Sequence, residues 1–431
     1  MALYICSHCG YGSASWMGRC PDCGQWNTLV AQAEEKKKKN EAVKKLEITS
    51  LAKVKPLANS RQPTGIYEFD RVLGGGFVAG EVILLTGEPG VGKSTLVLQS
   101  LQNTKTLYIS GEESAEQVRE RAQRLNINLD NFYFSDNLQV EGIVEGVEDL
   151  GEKLDVLIID SIQTVYSKDV DAAAGSISQL KETSSRLITL AKKQKLTIIL
   201  IGHITKEGEI AGPKTLEHFV DCVLNFEGER LSNFRLLRAS KNRFGPTDEI
   251  GIFEMKGGGL VEISNPLVFL ENNKELAPGK AIVGISEGKR VLFYEIQSLV
   301  ASTAMPVPRR VIKGLDYNKS LLLLAVIKKY ANIPLDKYYD VYVNVIGGFT
   351  VKSTGADLGF IASLMSSYKN APLPPNSLYV GEVGLRGEIR SIRSEDKIIK
   401  EAGRLGFKTI FSSKNLKNIK DLTESFYKKS F

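Results

Sequence analysis

From residue 60 onward, short apolar runs alternate with segments whose apolar residues recur every three or four positions. EVILLTG (81–87), TLYISG (106–111), DVLIID (155–160), TIILIG (197–202) and DCVLNF (221–226) are continuous enough to be strands buried on both faces. Between them, SAEQVRERAQRL (114–125) and SISQLKETSSRLITLAKKQ (176–194) carry the helical period. This alternation predicts an α/β fold with a parallel sheet covered on both sides. Near residue 265 the texture changes. SNPLVFLENNKELAPGKA carries Pro and Gly punctuation and reads as a domain junction. Beyond it, strand-like AIVGISEGKRVLFYEIQSLV and YYDVYVNVIGG mix with helical KSLLLLAVIKKYA and ADLGFIASLMSSYK, an α+β pattern. No repeat of solenoid period is found.

Residues 1–58 follow neither pattern. Four of the five cysteines fall within the first 23 residues, and the run EEKKKKNEAVKK (34–45) has few large apolar residues. Such a run reads as a solvated linker, or as a tail that touches DNA nonspecifically. The expected division is a cysteine module (1–30), a charged linker (31–58), an α/β domain (59–265) and a C-terminal α+β domain (266–431). Apolar residues at 42% and charged residues at 25% of 431 exclude a disordered or collagenous chain. The net charge of +6 permits an anionic partner without demanding one. The longest uncharged apolar runs, such as LTIILIG (196–202) and LLLLAVI (321–327), are too short for a membrane helix, which needs about 18 residues. MALYICSHCG lacks the basic start and apolar stretch of a signal peptide, so a cytoplasmic protein with reduced cysteines is expected.

Cys6-x2-Cys9 and Cys20-x2-Cys23 form two knuckles, each followed by a glycine (Gly10, Gly24) for the tight turn behind the sulfurs. Four thiolates around Zn2+ make a closed tetrahedral site that supplies folding energy and leaves no position for catalysis. A redox-active CxxC pair is the alternative. His8 is expected to be a bystander and Cys222 a core residue.

Gly87, Glu88, Pro89, Gly90, Val91, Gly92, Lys93, Ser94 and Thr95 match GxxxxGK[ST], between an apolar strand and a helical segment. In that context the loop cradles the phosphates of ATP, Lys93 reaches the β- and γ-phosphates, and Ser94 binds Mg2+. Asp160 ends an apolar strand, where a carboxylate holds Mg2+ and its water. Glu112 and Glu113 follow TLYISG. One of them should act on the attacking water and the other should cap a helix; Glu112 is expected as the base and Glu113 as the cap. His203, ending another strand, is either a γ-phosphate sensor or a satisfied polar residue.

TGIYEFDRVLGGGFVAGEVILLTGEPGVGKST (64–95) resembles the core of RecA-like ATPases. YISGEES, LIIDSIQT, GHITKEGEIAGPKTLEH, the N-terminal cysteines and the pentapeptide Lys241-Asn242-Arg243-Phe244-Gly245 resemble the bacterial RadA (Sms) DNA-repair family in particular. The part from about 275 to 431 is similar to the Lon protease domain, as that family implies. The resemblance spans nearly the whole chain apart from the linker. It implies a DNA-stimulated, helicase-like ATPase forming hexameric rings. Such an enzyme binds single-stranded and branched DNA, processes recombination intermediates and drives branch migration beside the RecA recombinase.

The Lon-like part departs from a protease. Gly355 in Ser353-Thr354-Gly355-Ala356-Asp357 stands where the nucleophilic Ser would be, and Asp396, followed by Lys397, stands at the position of the dyad Lys. Without nucleophile and base, acyl-enzyme chemistry has no starting point. A scaffold for oligomers or DNA is expected. Lys352, Arg386, Arg390 and Arg393 are either phosphate contacts or a solvated face. The segments after Asp160 and His203 occupy positions of DNA-binding loops in RecA-like proteins and are expected to be mobile, with Lys168, Lys206 and Lys214 as candidate contacts. Lys241 and Arg243 fall on an expected turn after FRLLRAS. Three roles are open to them: a solvated turn, a grip on DNA, or a cation reaching the neighbouring subunit's γ-phosphate. The last is the favoured one. A RecA-like regulatory ATPase with a protein-binding output and an ATP-dependent protease are the competing functions.

Overall fold

Alternate residues of each central strand face opposite ways, and both sets are apolar. In Val82–Gly87, Ile83 and Leu85 join one core and Val82 and Leu84 the other. The first core takes Phe69, Leu73, Leu96, Val97 and Val118 from three helices. The second takes Val140, Ile143, Leu180, Leu187 and Leu190 from two others. A computed structural model describes residues 4–8, 11–13, 15–31, 50, 52, 61–102, 104–203, 213–228, 233–265, 267–270 and 276–427. Cys9, Gly10, Lys206 and almost all of the linker lie outside the described residues.

The chain divides into two compact units, Met1–Leu57 and Ala58–Phe431. In the first, Tyr4–Cys6 pairs antiparallel with both Gly12–Ser13 and Leu29–Ala31. Its small core is Cys6, Cys20 and Leu29.

The second unit is built on two sheets. The larger has nine strands. In spatial order they are Gly259–Glu262, Ile250–Lys256, Phe234–Asn242, Cys222–Glu227, Val82–Gly87, Thr197–His203, Val156–Asp160, Thr106–Ser110 and Phe132–Ser135. The last six are parallel, and helices cover both faces as the apolar runs predict. The first three are antiparallel, an extension that the strand runs alone did not announce.

The smaller sheet has six strands, ordered Arg310–Lys313, Tyr339–Val345, Arg290–Ser302, Lys280–Glu287, Ser377–Tyr379 and Thr409–Phe411. Helix Asp357–Lys369 lies on its long hairpin, with Phe360, Ile361, Leu364 and Met365 buried. The same core includes Leu236, Ile250 and Ile252 of the larger sheet. Beside it, Glu68 of helix Tyr67–Leu73 accepts a 2.6 Å bond from Arg290, both side chains being nearly inaccessible. Burial raises the Glu68 carboxyl and lowers the Arg290 guanidinium, each pulled back by the other's charge.

Two local expectations change. Lys241 and Asn242 still belong to the strand Phe234–Asn242, because Asn242 pairs with Cys222 and Lys241 with Val223; the turn begins only at Arg243. Glu113 is not a cap. Ser114 fills that position in a capping box with Gln117, and Glu113 is instead an ion-pair partner of Arg121. A hydroxyl one residue later accepts from the helix N–H groups without a charge to desolvate.

Candidate nucleotide and metal sites

The nucleotide loop leaves the C-terminal end of Val82–Gly87, flanked by Thr197–His203 and Cys222–Glu227. Ligands collect at such a reversal of strand order. Gly90 (φ 77°) and Gly92 (φ 110°) adopt the left-handed conformation that lets the loop curl. A Cβ on Gly87 would fall 2.4 Å from the Phe226 carbonyl, so only glycine fits there.

Lys93 opens the helix Lys93–Gln99. Its Nζ donates to the carbonyls of Gly87 (2.9 Å) and Glu88 (3.1 Å) and lies 3.1 Å from His203 Nδ1. Burial pushes the Lys93 ammonium down to about 8, against the opposing pull of Asp160 and Glu112. Ser94 Oγ donates to Asp160 Oδ2 at 2.7 Å. The two oxygens expected on Mg2+ are therefore already together, and a hydroxyl beside a carboxylate is the hard donor set that ion takes. Glu112 Oε1 accepts from Ser161 Oγ at 2.7 Å and faces His203 Nε2 at 3.4 Å. That nitrogen is buried and makes no hydrogen bond, an orphan donor or acceptor aimed into the site. A phosphate oxygen or a water would satisfy it, so the residues present fit a nucleotide.

Lys93, Ser94, Glu112, Asp160 and His203, widely separated in sequence, meet here. Sequence reasoning missed three supports. Tyr108, fully buried, donates to Asp160 Oδ2 at 2.5 Å; burial and that carboxylate hold its phenol far above the usual range. Ser161 orients Glu112, and Gln163 brackets His203 through both its amide atoms. Nothing in the sequence ties Tyr108 to Asp160, because their strands' adjacency is a long-range pairing.

Lys241 and Arg243 lie toward the starts of the parallel strands, away from the loop at their C-terminal ends. Lys241 is in register with Val223 and Val223 with Leu84, three residues, or about 10 Å, before Gly87. Lys241 Nζ donates to the carbonyls of Glu217 (2.8 Å) and His218 (3.2 Å), and Arg243 pairs with Asp221 at 3.0 Å. Asn242 Nδ2 caps the helix Tyr67–Leu73 through Leu73 O at 3.1 Å.

Lys168 and Lys214 are exposed. The segment bearing Lys168 is tied down rather than loose. Gln179 donates to Ser167 O, Val170 O and Ala172 O and accepts from Ser167 N, four bonds from one amide. In the C-terminal part, Ser353 Oγ accepts from Gly355 N at 3.2 Å and caps a short helix. Asp396 pairs with Lys414, Lys397 donates to Gly288 O, and neither lines the small cleft beside Ser353. Lys352 and Arg393 are exposed, as are Arg386 and Arg390, which pair with Glu388. Cys222 is wholly buried, and burial raises its thiol far above the usual range.

In the first unit, Cys6, Cys20 and Cys23 bring their sulfurs within 4.8 Å of one another, with Cys6 and Cys23 3.7 Å apart. Gly24 turns behind the second knuckle at φ 70°. A cluster of soft thiolates in a module with almost no core fits Zn2+.

Residues 62–155 match the KaiC ATPase family model and residues 4–31 the rubredoxin metal binding domain. Over part of its length, 47%, the chain is similar to the crystal structure of the RadB recombinase (22% identity, 99% of that chain, TM-score 0.39). It is 44% identical to the DNA repair protein RadA of Listeria monocytogenes, over 96% of this chain and 92% of that one. It is 45% identical to RadA of Streptococcus pyogenes serotype M6, over 96% and 93%. Against RadA of Bacillus subtilis the identity is 43%, over 94% and 91%. With a nucleotide-binding loop, a carboxylate pair and a thiolate cluster all in place, the chain is an ATP-hydrolysing enzyme and belongs to the RadA family of DNA repair proteins.

Proposed function

We propose that this enzyme is a DNA-stimulated motor that processes recombination intermediates. In this reading it works as a ring, most simply a hexamer, in the cytoplasm, on single-stranded and branched DNA. It promotes branch migration of the strand exchange begun by the RecA recombinase. The observation that carries the reading is the convergence of Lys93, Ser94, Asp160, Glu112 and His203 at the ends of adjacent parallel strands.

Each residue then has a role. Lys93 and the loop from Gly87 to Thr95 hold the phosphates. Ser94 and Asp160 hold Mg2+, which when bound draws charge from the transferring phosphoryl group. Glu112 accepts a proton from the attacking water, and His203 registers the γ-phosphate. Lys241 and Arg243, remote from their own loop, serve the neighbour's nucleotide. Lys168, Lys206 and Lys214 bind DNA phosphates. The domains are those at 1–30, 59–265 and 266–431, joined by the linker 31–58. The last is a Lon-like scaffold without peptidase activity, a role supported by Gly355 and Asp396. The test is the rate of phosphate release with and without single-stranded DNA, run beside a casein-degradation assay. A severalfold stimulation with intact casein is expected. An ATPase indifferent to DNA, or degraded casein, overturns the reading.

A further inference from the structure

Each of the three antiparallel strands of the larger sheet sends one residue to the back of the nucleotide loop or its helix. From Ile250–Lys256, Met255 Cε lies 2.6 Å from where a Cβ on Gly92 would stand. From Gly259–Glu262, Leu260 exchanges two backbone bonds with Gln99, the last residue of the helix Lys93–Gln99: its N–H donates to Oε1 at 2.9 Å and its carbonyl accepts from Nε2 at 3.1 Å. From Phe234–Asn242, Arg235 Nε donates to Val91 O at 3.0 Å, and this contact falls on the loop itself.

Arg235 is out of keeping with its face of the strand. Alternation puts it on the side of Leu237 and Ala239, both buried in the core under the loop. Its side chain passes the end of Cys222–Glu227, where a Cβ on Gly228 would strike Arg235 Cδ and fall 2.8 Å from Nε. Glycine at 228 keeps that passage open. Nη1 turns back to Phe234 O at 2.8 Å, which fixes the plane of the guanidinium. Burial lowers that group below its usual range, so the position carries a desolvation cost that an apolar residue would avoid.

The bonded carbonyl belongs to the peptide unit that joins Val91 to Gly92. In a trans peptide the C=O and the N–H point opposite ways. Holding Val91 O toward Arg235 therefore turns the Gly92 N–H away from the backing strands, and among the described residues that N–H has no acceptor. Backbone N–H groups are what such a loop offers to phosphate oxygens. The reverse orientation is close at hand, because Gly92, at φ 110°, is a residue that takes either sign of φ at little cost. Turning this one unit over would set a carbonyl oxygen against the phosphates. We propose that Arg235 is a positioning residue for the nucleotide: it holds the Val91–Gly92 peptide with its N–H toward the phosphates, so that the loop has its binding form before ATP arrives. The proposal rests on the reading that the loop from Gly87 to Thr95 holds the phosphates, and it names the side chain that orients that loop from outside the motif.

An orienting bond lowers the cost of binding, so its loss should appear in affinity before it appears in turnover. Phosphate release by the full-length, zinc-loaded protein is measured across ATP concentrations, and ADP affinity by competition with a fluorescent ADP analogue. Arg235→Met keeps a stem in the passage beside Gly228 and removes the donors. KM for ATP should rise about tenfold, and ADP should weaken by the same factor, the order of one hydrogen bond from a charged group. The two nucleotides share the phosphates that the loop N–H groups hold, and kcat should fall far less than KM rises. Arg235→Lys keeps a donor and should recover part of the affinity. A merely structural loss of folded enzyme would instead lower kcat and leave KM and ADP affinity where they were. Three results overturn the positioning role and leave the loop reading intact: KM and ADP affinity equal to the parent's, a loss confined to kcat, or a lysine no better than methionine. Lys93→Ala is run alongside. If it hydrolyses ATP like the parent, the loop reading itself is removed, and the role of Arg235 with it.

Discussion

Lys93 and Lys319 both stand near a carboxylate at the start of a helix, Lys93–Gln99 against the larger sheet and Tyr317–Ala331 beside the smaller. Lys93 Nζ is held by carbonyl oxygens, which do not cancel its charge, and touches His203 Nδ1, whose ring's other nitrogen, Nε2, is buried without a hydrogen bond. Lys319 Nζ sits 2.8 Å from Asp357 Oδ2 and 3.9 Å from Glu382 Oε1, beside a cleft of about 30 Å³. That cleft has room for about one water. The carboxylates nearest the first cation, Asp160 and Glu112, attract it without an ion-pair contact, and the second cation has two carboxylates within 4 Å. A lysine suits an anion where no carboxylate is bonded to its ammonium. Lys319 has carboxylates paired with it already.

Lys93→Ala is the largest break in this contrast. Hydrolysis should fall by several orders of magnitude, because the transferring phosphoryl group loses its main cation. Lys319→Ala should leave it close to the parent's rate. Phosphate release measures both, and a Lys93→Ala loss of only tens of per cent sinks the site.

Lys241→Ala comes next. If its amine serves the neighbour's nucleotide, ATP binding persists while hydrolysis drops, by roughly 10³–10⁵ in the strongest systems of this kind. Mixing Lys241→Ala with Lys93→Ala protein should then restore some activity, because an intact loop meets an intact lysine across one interface. A dead mixture in which mixed oligomers are shown to form ends the trans role. A variant that loses DNA binding but keeps its DNA-free rate turns Lys241 into a DNA contact.

The contrast also explains what could be read from the chain. Lys93, Ser94 and Asp160 announce themselves because spacing and strand context fix their chemistry. Glu112 against Glu113 was a harder choice, since capping depends on one residue of register, and Ser114 takes the cap. Tyr108 and Ser161 could not be singled out: each acts through a contact between strands, and one sequence carries no record of strand order. The position of Lys241 at the strand starts followed from antiparallel pairing with Cys222–Glu227, also a long-range fact. Gly355 and Asp396 are read through the resemblance to the Lon protease domain, and a peptidase assay is what tests that reading.

Gly355→Ser tests the proposed absence of peptidase chemistry at this loop. A Cβ there would meet Ile392 Cδ1 at 2.6 Å, so the side chain must displace a packed methyl. The expected result is a loss of about 1–3 kcal/mol in stability and no peptidase activity. Casein fluorescence and thermal unfolding check the two halves, and a serine-reactive probe that labels the variant contradicts the second.

The smallest effect is a pH dependence at Asp357. Burial lifts its carboxyl from 3.8 to about 6, with Lys319 and the Val383 N–H pulling the other way. Between those two pH values the folded state holds a proton that the unfolded chain has released. The contribution of this group to stability is therefore complete below about pH 4 and is lost as pH rises through about 6. Asn cannot ionise and keeps an oxygen for the Val383 N–H. Asp357→Asn should match the parent at low pH and gain on it as the window is crossed. The gain should reach on the order of 1–3 kcal/mol, the pull of Lys319 being already contained in the net lift. The measurement is the difference in unfolding midpoint between variant and parent at successive pH values. A rising difference identifies the Lys319–Asp357 pair as a charge cluster held at a cost. A flat difference means that Lys319 fully offsets the burial, and the second cluster is then as settled as any ordinary ion pair.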